Sequence, residues 1–275
     1  MRKEIRGKVM NTNRKLLVTD MDGTLVDSQR KMHQATIDAL NTLRQQGHVV
    51  CYATGRRKYD MKRVEYQYQC VDYVILNTGT IIENARSHEY LFDTYVDTAA
   101  SAQLIDKCVE MGWQLYVIFN DGYALNIMTP GVLDYQEATG VAPVMFGSSR
   151  DLALEKIQGF MVSRDRMEIV SYIESAGLPL TCICSEPECY DITPKGCSKW
   201  ETIKRLADML EIKQENIVAM GNWLNDMEMV VNAGVGVAVA DACEELRAAA
   251  DYVTERGHSG DAVLDVCRHC FGLNV

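Results

Sequence analysis

Four short apolar runs in this chain each stop at small polar or acidic residues, and no other feature restricts the fold so strongly. "KLLVT" leads into Asp20 and Asp22, then Gly23 and Thr24. "HVVCYA" leads into Thr54, Gly55 and Arg56, and "YVIL" into Asn77, Thr78 and Gly79. "NIVAM" leads into Gly221, Asn222, Asn225 and Asp226. Strands apolar on both faces belong in a parallel sheet whose two faces are covered. In open sheets of that kind, ligands bind beyond the carboxyl ends of the strands. If these strands are neighbours, their ends converge on one site rich in carboxylates, amides and hydroxyls. Charge at the end of a buried strand is costly unless it is paired or holds a metal.

Helical patterns fall between the runs. Ala35, Ile37, Ala39, Leu40 and Leu43 recur along residues 33–46, with Gly47 as a stop. Residues 57–69, 198–210 and 225–232 also read as helices. A strand at "VGVAVA", a helix from Cys243, a short strand at "DYVT" and a helix from Gly260 complete the C-terminal part. The fold class is therefore α/β, with a Rossmann-like parallel sheet.

The middle of the chain breaks this rhythm. It reads as a strand at "EYLFD" and a helix over residues 99–111. The strands "WQLYVIF" and "YALNIM" follow, joined by "NDG", a strong hairpin signal. Then come "IQGFMVS", a helix over residues 166–176, and the strands "LPLTCICS" and "CYDITP". The change from parallel to hairpin signals predicts two domains: a core of residues 1–82 and 193–275, and an inserted α+β unit of residues 83–192.

Composition excludes several classes. The chain has 275 residues, is 47% hydrophobic and carries a formal net charge of −10. That balance argues against nucleic-acid partners and anionic membranes. No apolar run is long enough to span a bilayer, and the charged N-terminus "MRKEIRGKVMNTNRK" lacks the core of a signal peptide. A cytoplasmic monomer or homodimer is expected, with the ten cysteines as reduced thiols. Cys182, Cys184, Cys189 and Cys197, and the lone C-x-x-C of Cys267 and Cys270, lack the paired half-sites of a zinc centre.

Oxygen ligands of this kind suit Mg²⁺. A phosphate monoester fits such a site, because an aspartate can attack phosphorus and form an aspartyl-phosphate. The repulsion between carboxylate and phosphate must then be cancelled, which Mg²⁺ and a lysine can do. A second aspartate two residues on along extended chain points the same way as the first. It can protonate the leaving group and later activate water.

These residues carry a resemblance. "DMDGT" resembles the D-x-D-G-T signature of the haloacid dehalogenase (HAD) superfamily, and "ATGR" the second motif of its Cof-like branch. "ITPKGCSKW" resembles the segment bearing that branch's lysine, and "GNWLND" its fourth motif, G-D-x-x-N-D. The order agrees, and the resemblance spans nearly the whole chain. It implies a HAD core with an α/β cap and Mg²⁺-dependent hydrolysis of a small phosphorylated metabolite, such as a sugar phosphate. Asp20 then matches the nucleophile and a metal ligand. Asp22 matches the acid/base, its carbonyl a further metal ligand. The amides from Met21 onward would cradle the phosphate. Thr54 and Gly55 match the phosphate-binding hydroxyl and amide, Lys199 the neutralising lysine and Asn225 a phosphate contact. Asn222 and Asp226 fall at metal positions.

The bland readings differ in weight. Asp20 and Asp22 as mere turn formers fit their context poorly. Thr54 alone could cap a helix, and Lys199 alone would be a solvated helix lysine, with Lys195 as a rival. Arg56 reads as structural or as a cap contact. "GVGVAV" opens no helix and is no dinucleotide fingerprint. Two positions depart from the branch. Asn222 stands where an aspartate is usual, which removes a charge from the metal site, and Trp200 follows the lysine where small residues are common. The resemblance therefore leaves two other readings open: a phosphomutase of the phosphomannomutase type, and a weakened phospho-ligand sensor.

Overall fold

The structure is a computed structural model that describes residues 14–61, 65–163, 167–186 and 189–274. Residues 1–13, which hold most of the charged N-terminal segment, lie outside the described residues. In chain order the elements are β1 (Leu16–Thr19), α1 (Gln34–Gln45), β2 (Val49–Ala53), α2 (Lys58–Met61), β3 (Tyr73–Leu76), β4 (Ile81–Asn84) and β5 (Tyr90–Asp93). Then follow α3 (Thr98–Met111), β6 (Tyr116–Ile118), β7 (Tyr123–Leu125), α4 (Pro130–Thr139), β8 (Val144–Met145), β9 (Gly159–Ser163) and α5 (Met167–Ser175). After these come β10 (Leu180–Glu186), β11 (Cys189–Pro194), α6 (Lys199–Met209), β12 (Ile217–Gly221), α7 (Met227–Asn232), β13 (Val235–Ala238), α8 (Glu244–Ala249), β14 (Tyr252–Val253) and α9 (Ala262–Phe271).

Among the described residues the first sheet runs β14-β13-β12-β1-β2-β3-β4-β5. Its members from β14 to β3 are parallel. β1 is the central strand. The chain builds β2 and β3 on one side of it and later β12, β13 and β14 on the other. That reversal opens a crevice at the carboxyl end of β1, where such sheets bind ligands. The apolar residues of β1, β2 and β12 are buried on both faces, against Leu40 and Leu43 of α1, Ile203 and Leu206 of α6, and Val263 and Val266 of α9. Trp200 is also buried in this core. A large residue beside the lysine thus faces apolar packing.

β4 extends this same sheet antiparallel to β3, and β5 follows antiparallel to β4. The excursion therefore leaves the core after Asp93, not at residue 83, and "EYLFD" is the sheet's edge strand. Ile81 and Ile82 are fully buried, and a tight turn through Thr78 (φ 56°) and Gly79 returns the chain beside β3. By sequence "NTG" reads as the end of the third strand, which hides that turn.

The second sheet runs β10-β11-β9-β6-β7-β8. β6 and β7 pair antiparallel around "NDG", as its hairpin signal predicts. One face of this sheet, with Val117, Phe160 and Ile192, packs on Leu104 and Ile105 of α3 and Ile169 and Ile173 of α5. The other face carries Tyr116, Ile118, Tyr123 and Leu125, a separate cluster that includes Tyr59 of α2. Sequence periodicity misses α4, although Pro130 at its first turn and Gly140 in the left-handed conformation after its last are ordinary helix boundaries. The helix expected over residues 57–69 shortens to α2 and a 3-10 turn at Glu65–Cys70, with residues 62–64 outside the described set. Arg57 and Tyr59 are held by tertiary contacts, which outweigh local propensity.

Candidate active site

The carboxyl end of β1 brings Asp20 to the bottom of a cavity of about 1250 Å³ between the two sheets. Its backbone N–H donates to the Met220 carbonyl at 2.9 Å, which fixes the crevice between β1 and β12. Thr24, Leu25 and Val26 donate back to the Met21 carbonyl, so the chain turns away at once. Gly23 is required there twice over. Its φ is +74°, and a Cβ at this position would lie 2.4 Å from Asn222 Nδ2. Only a glycine lets the Asn222 amide lie across the turn that follows the two aspartates.

Lys199 opens α6 and reaches the crevice from the other side of the sheet. Its ammonium donates to Asp20 Oδ1 at 2.7 Å and Asp226 Oδ1 at 2.6 Å. All three side chains are buried. Burial, helped by the neighbouring Asp226 carboxylate, outweighs the pull of Lys199 and raises the Asp20 carboxyl to about 7. Burial lowers the Lys199 ammonium, but the two carboxylates outweigh that and hold it above the usual lysine range. Lys195, the rival by sequence, is exposed and lies by a separate cavity near α5. The lysine that meets the aspartates is therefore Lys199.

Asp226 sits at the start of α7 with both oxygens engaged. Oδ1 accepts a hydrogen bond from the Lys199 ammonium, and Oδ2 accepts the N–H groups of Asn222 at 2.9 Å and Trp223 at 3.3 Å. It thus ties the loop after β12 to the lysine. A Cβ on Gly221 would stand 2.4 Å from Asp226 Cβ, so the loop closes only around a glycine. Asn222 Oδ1 accepts from Thr24 Oγ1 at 3.2 Å, which joins this loop to the turn after β1.

Asp22 lines the cavity, and Arg56 grips it in a bidentate pair, Nε and Nη2 each 2.6 Å from its oxygens. The sequence reading that treats Arg56 as structural or a cap contact misses this. The signal lies in the order of the chain: Arg56 ends the second motif, beside the strand that pairs with β1. Thr54 is buried, and its hydroxyl accepts the Arg56 N–H at 3.1 Å, which leaves its own proton for an anion. Gly55 and Asn225 also line the cavity, whereas Met21 buries its side chain in the core and offers only its backbone.

A second pair crosses from one sheet to the other. Arg57 Nη2 donates to Asp191 Oδ1 of β11 at 2.6 Å, and both side chains are buried. Asp191 Oδ2 accepts from Thr78 Oγ1 at 2.6 Å, and Arg57 also donates to the Gly55 carbonyl. Neither Arg57 nor Asp191 stands out in the sequence; an arginine and an aspartate 134 positions apart carry no local signal.

A family model for haloacid dehalogenase-like hydrolases matches residues 17–266. The HMP-PP phosphatase of Cronobacter sakazakii is 27% identical over 254 residues, covering 91% of this chain and 93% of that protein. The putative phosphatase YxeH of Bacillus subtilis is 24% identical, covering 87% and 92%. A phosphatase of the haloalkanoate enzyme superfamily from Bacteroides thetaiotaomicron shares the fold with a TM-score of 0.81 at 24% identity, over 96% of this chain and 97% of that one. The chain belongs to the haloacid dehalogenase-like hydrolase family, as a phosphoric monoester hydrolase with the family's core and an inserted cap. No helix among the described residues is long and apolar enough to cross a membrane.

Proposed function

We propose that the chain hydrolyses the phosphate monoester of a small metabolite through an aspartyl-phosphate on Asp20, with Mg²⁺ as its cofactor. One observation carries the reading: a buried lysine holds Asp20 at the switch point of the sheet, with Asp22 two residues on at the cavity wall. Asp20 attacks phosphorus as the bond to the leaving oxygen breaks, and Asp22 supplies the proton that oxygen needs. Water then attacks phosphorus, gives its proton to Asp22 and breaks the bond to Asp20, which releases inorganic phosphate. Lys199, the Thr54 hydroxyl and the amides of the Met21–Gly23 turn neutralise and orient the phosphate oxygens. Arg56 must yield Asp22 during this cycle, and an incoming phosphate is a competing partner for its guanidinium.

The donor set fits a hard cation, since Asp20, the Asp22 carbonyl and the Asn222 amide all offer oxygen. Asn222 leaves the set one charge short, and Asp226, bonded to Lys199 and to the Asn222 and Trp223 N–H groups, supports the set from beside it. When bound, Mg²⁺ would offset the charge between Asp20 and the phosphate. The resemblance supplies sugar phosphates as one candidate class.

The test is a panel of phosphate esters assayed with Mg²⁺, using wild type and Asp20→Asn. Free phosphate from wild type supports the reading. Isomerised sugar phosphate would indicate a mutase, and binding without turnover a sensor. Asp20→Asn is expected to lower turnover by a factor of ~10⁴ or more while the protein still folds. Substantial turnover in that variant overturns the nucleophile.

A further inference from the structure

Arg56 grips both oxygens of Asp22, at 2.6 Å each, and its own side chain is only 11% exposed. A carboxylate held at both oxygens by a guanidinium has neither free to serve a leaving group. A buried guanidinium that lets go needs another counter-charge, because an unpaired buried charge is costly. The incoming phosphate draws on Arg56, but its oxygens also take Lys199, Thr54 and the turn amides. A second carboxylate is needed to hold the arginine aside.

Asp60 offers one. It sits in α2, one turn past Arg56, and its Oδ2 accepts the Arg57 N–H at 3.1 Å. The carboxylate therefore lies against the peptide that joins Arg56 to Arg57. Its Oδ1 is buried and has no partner among the described residues. A buried acceptor of this kind calls for a partner in some state of the molecule. The charged groups that face it are Arg57, Arg56 and Asp22, and burial raises its carboxyl above the usual aspartate value.

Arg57 is already engaged. Met161 lies opposite Tyr116 and Asp191 opposite Met161, so these three share the cap-sheet face that roofs the cavity. From that roof Asp191 accepts Arg57 Nη2 at 2.6 Å, and the Gly55 carbonyl accepts Nη1. Arg57 Nε is also buried without a partner and does not reach Asp60 while the roof holds the guanidinium. The arginine left for Asp60 Oδ1 is Arg56, which lines the same cavity.

We propose that Asp60 is a positioning residue for the hydrolysis: it receives the Arg56 guanidinium when substrate binds, and so frees Asp22 to serve the leaving oxygen. The inference rests on the phosphatase reading above and adds a residue which that reading does not use. No covalent bond changes at Asp60; one ion pair is exchanged for another and reverts when the product leaves.

The test compares para-nitrophenyl phosphate with para-nitrobenzyl phosphate in kcat/KM, with Mg²⁺ present. The first leaves as a stabilised phenolate and asks little of Asp22, whereas the second leaves as an alkoxide and needs a proton. kcat/KM covers the steps up to departure of the leaving group, so the later attack of water does not enter. Asp60→Asn keeps an oxygen for the Arg57 N–H but removes the charge that Arg56 would meet. It is expected to lower kcat/KM roughly thirtyfold for the benzyl ester and less than about threefold for the phenyl ester. Asp60→Glu, which returns the charge, should recover most of the difference. With Arg56→Gln present, no guanidinium holds Asp22, and Asp60→Asn should then change the ratio of the two esters by less than about twofold. If Asp60→Asn does not fold, Asp60→Ser, which also keeps an acceptor for the N–H, takes its place. Equal losses on both esters, or the same fall in the ratio with Arg56→Gln present, overturn the exchange of partners while turnover by wild type keeps the phosphatase reading. Absence of turnover on both esters in wild type overturns both.

Discussion

On the floor of the cavity, Asp20, Lys199 and Asp226 share a few ångströms of buried space and satisfy one another. On the roof, Tyr116, Tyr123 and Tyr135 pack ring on ring, and the one buried carboxylate there, Asp191, is turned to Arg57. The floor is held by charge balance, with two carboxylates facing one cation, and burial together with Asp226 lifts Asp20 to about 7. The roof is held mainly by apolar contact, and its charge is confined to the buried pair with Arg57. An arrangement of the first kind can do chemistry but tolerates little change in charge. One of the second kind can vary to suit a leaving group.

Removing the cation breaks the floor and should leave the roof intact. Lys199→Met leaves Asp20 and Asp226 buried together without a counter-charge. Loss of one member of such a network is expected to lower stability by about 3–5 kcal/mol. Turnover should fall by a factor of ~10²–10³, because the phosphate oxygens also lose a donor. Denaturant unfolding and ester hydrolysis measure the two losses. A stability change under about 1 kcal/mol would mean that the floor does not depend on this charge balance, a change typical of surface substitutions.

The two regions also differed in how plainly the chain declares them. Asp20, Asp22, Thr54 and Asp226 each follow an apolar run at close range, so local pattern suffices to place them beyond strand ends, whereas Lys199 opens a helix and is picked out only by the resemblance. The parallel core was legible for the same reason. Tyr116 and Met161 meet only because strands 45 positions apart pair in one register, and no local pattern states that register. The cap boundary failed on a related point. β4 and β5 carry hydrophobic residues suited to either sheet, and the tight turn that returns them to the core reads as the end of the third strand. Arg56 lay next to a recognised motif, but which carboxylate it would grip depended on the fold.

Arg57 and Asp191 join the two regions, so this pair sharpens the comparison. Asp191→Asn keeps an acceptor for Thr78 but leaves the Arg57 guanidinium buried without its counter-charge. About 2–3 kcal/mol of stability should be lost, less than for Lys199→Met, because the amide oxygen still accepts hydrogen bonds. KM should rise more than kcat falls, since the roof loosens while the floor keeps its groups. A thermal melt and a Michaelis analysis on one ester separate these effects. A fall in kcat with KM unchanged would show that Asp191 acts on the chemistry and not on the seating of the cap.

The smallest expected effect comes from restoring a charge to the floor. Asn222→Asp is nearly isosteric, and its carboxylate can still accept from Thr24 Oγ1 as the amide does. Without metal, a third carboxylate joins Asp20 and Asp226 around one lysine, so the metal-free protein should melt a few degrees lower. With Mg²⁺ the added charge is attractive. A unit charge at contact distance from a divalent ion is worth several kcal/mol even in a screened site, and dehydration and the crowding of Trp223 offset most of it. A net gain of about 1.4 kcal/mol, or tenfold in Mg²⁺ affinity, is the expected result. The melting temperature should then rise with Mg²⁺ at about tenfold lower concentration in the variant than in wild type, a readout independent of turnover. Half-maximal activity should shift in the same direction and the difference should vanish at saturating Mg²⁺. If the Mg²⁺ response of the melt is the same in both proteins, Asn222 does not face the ion. The floor would then owe its charge balance to Lys199 alone.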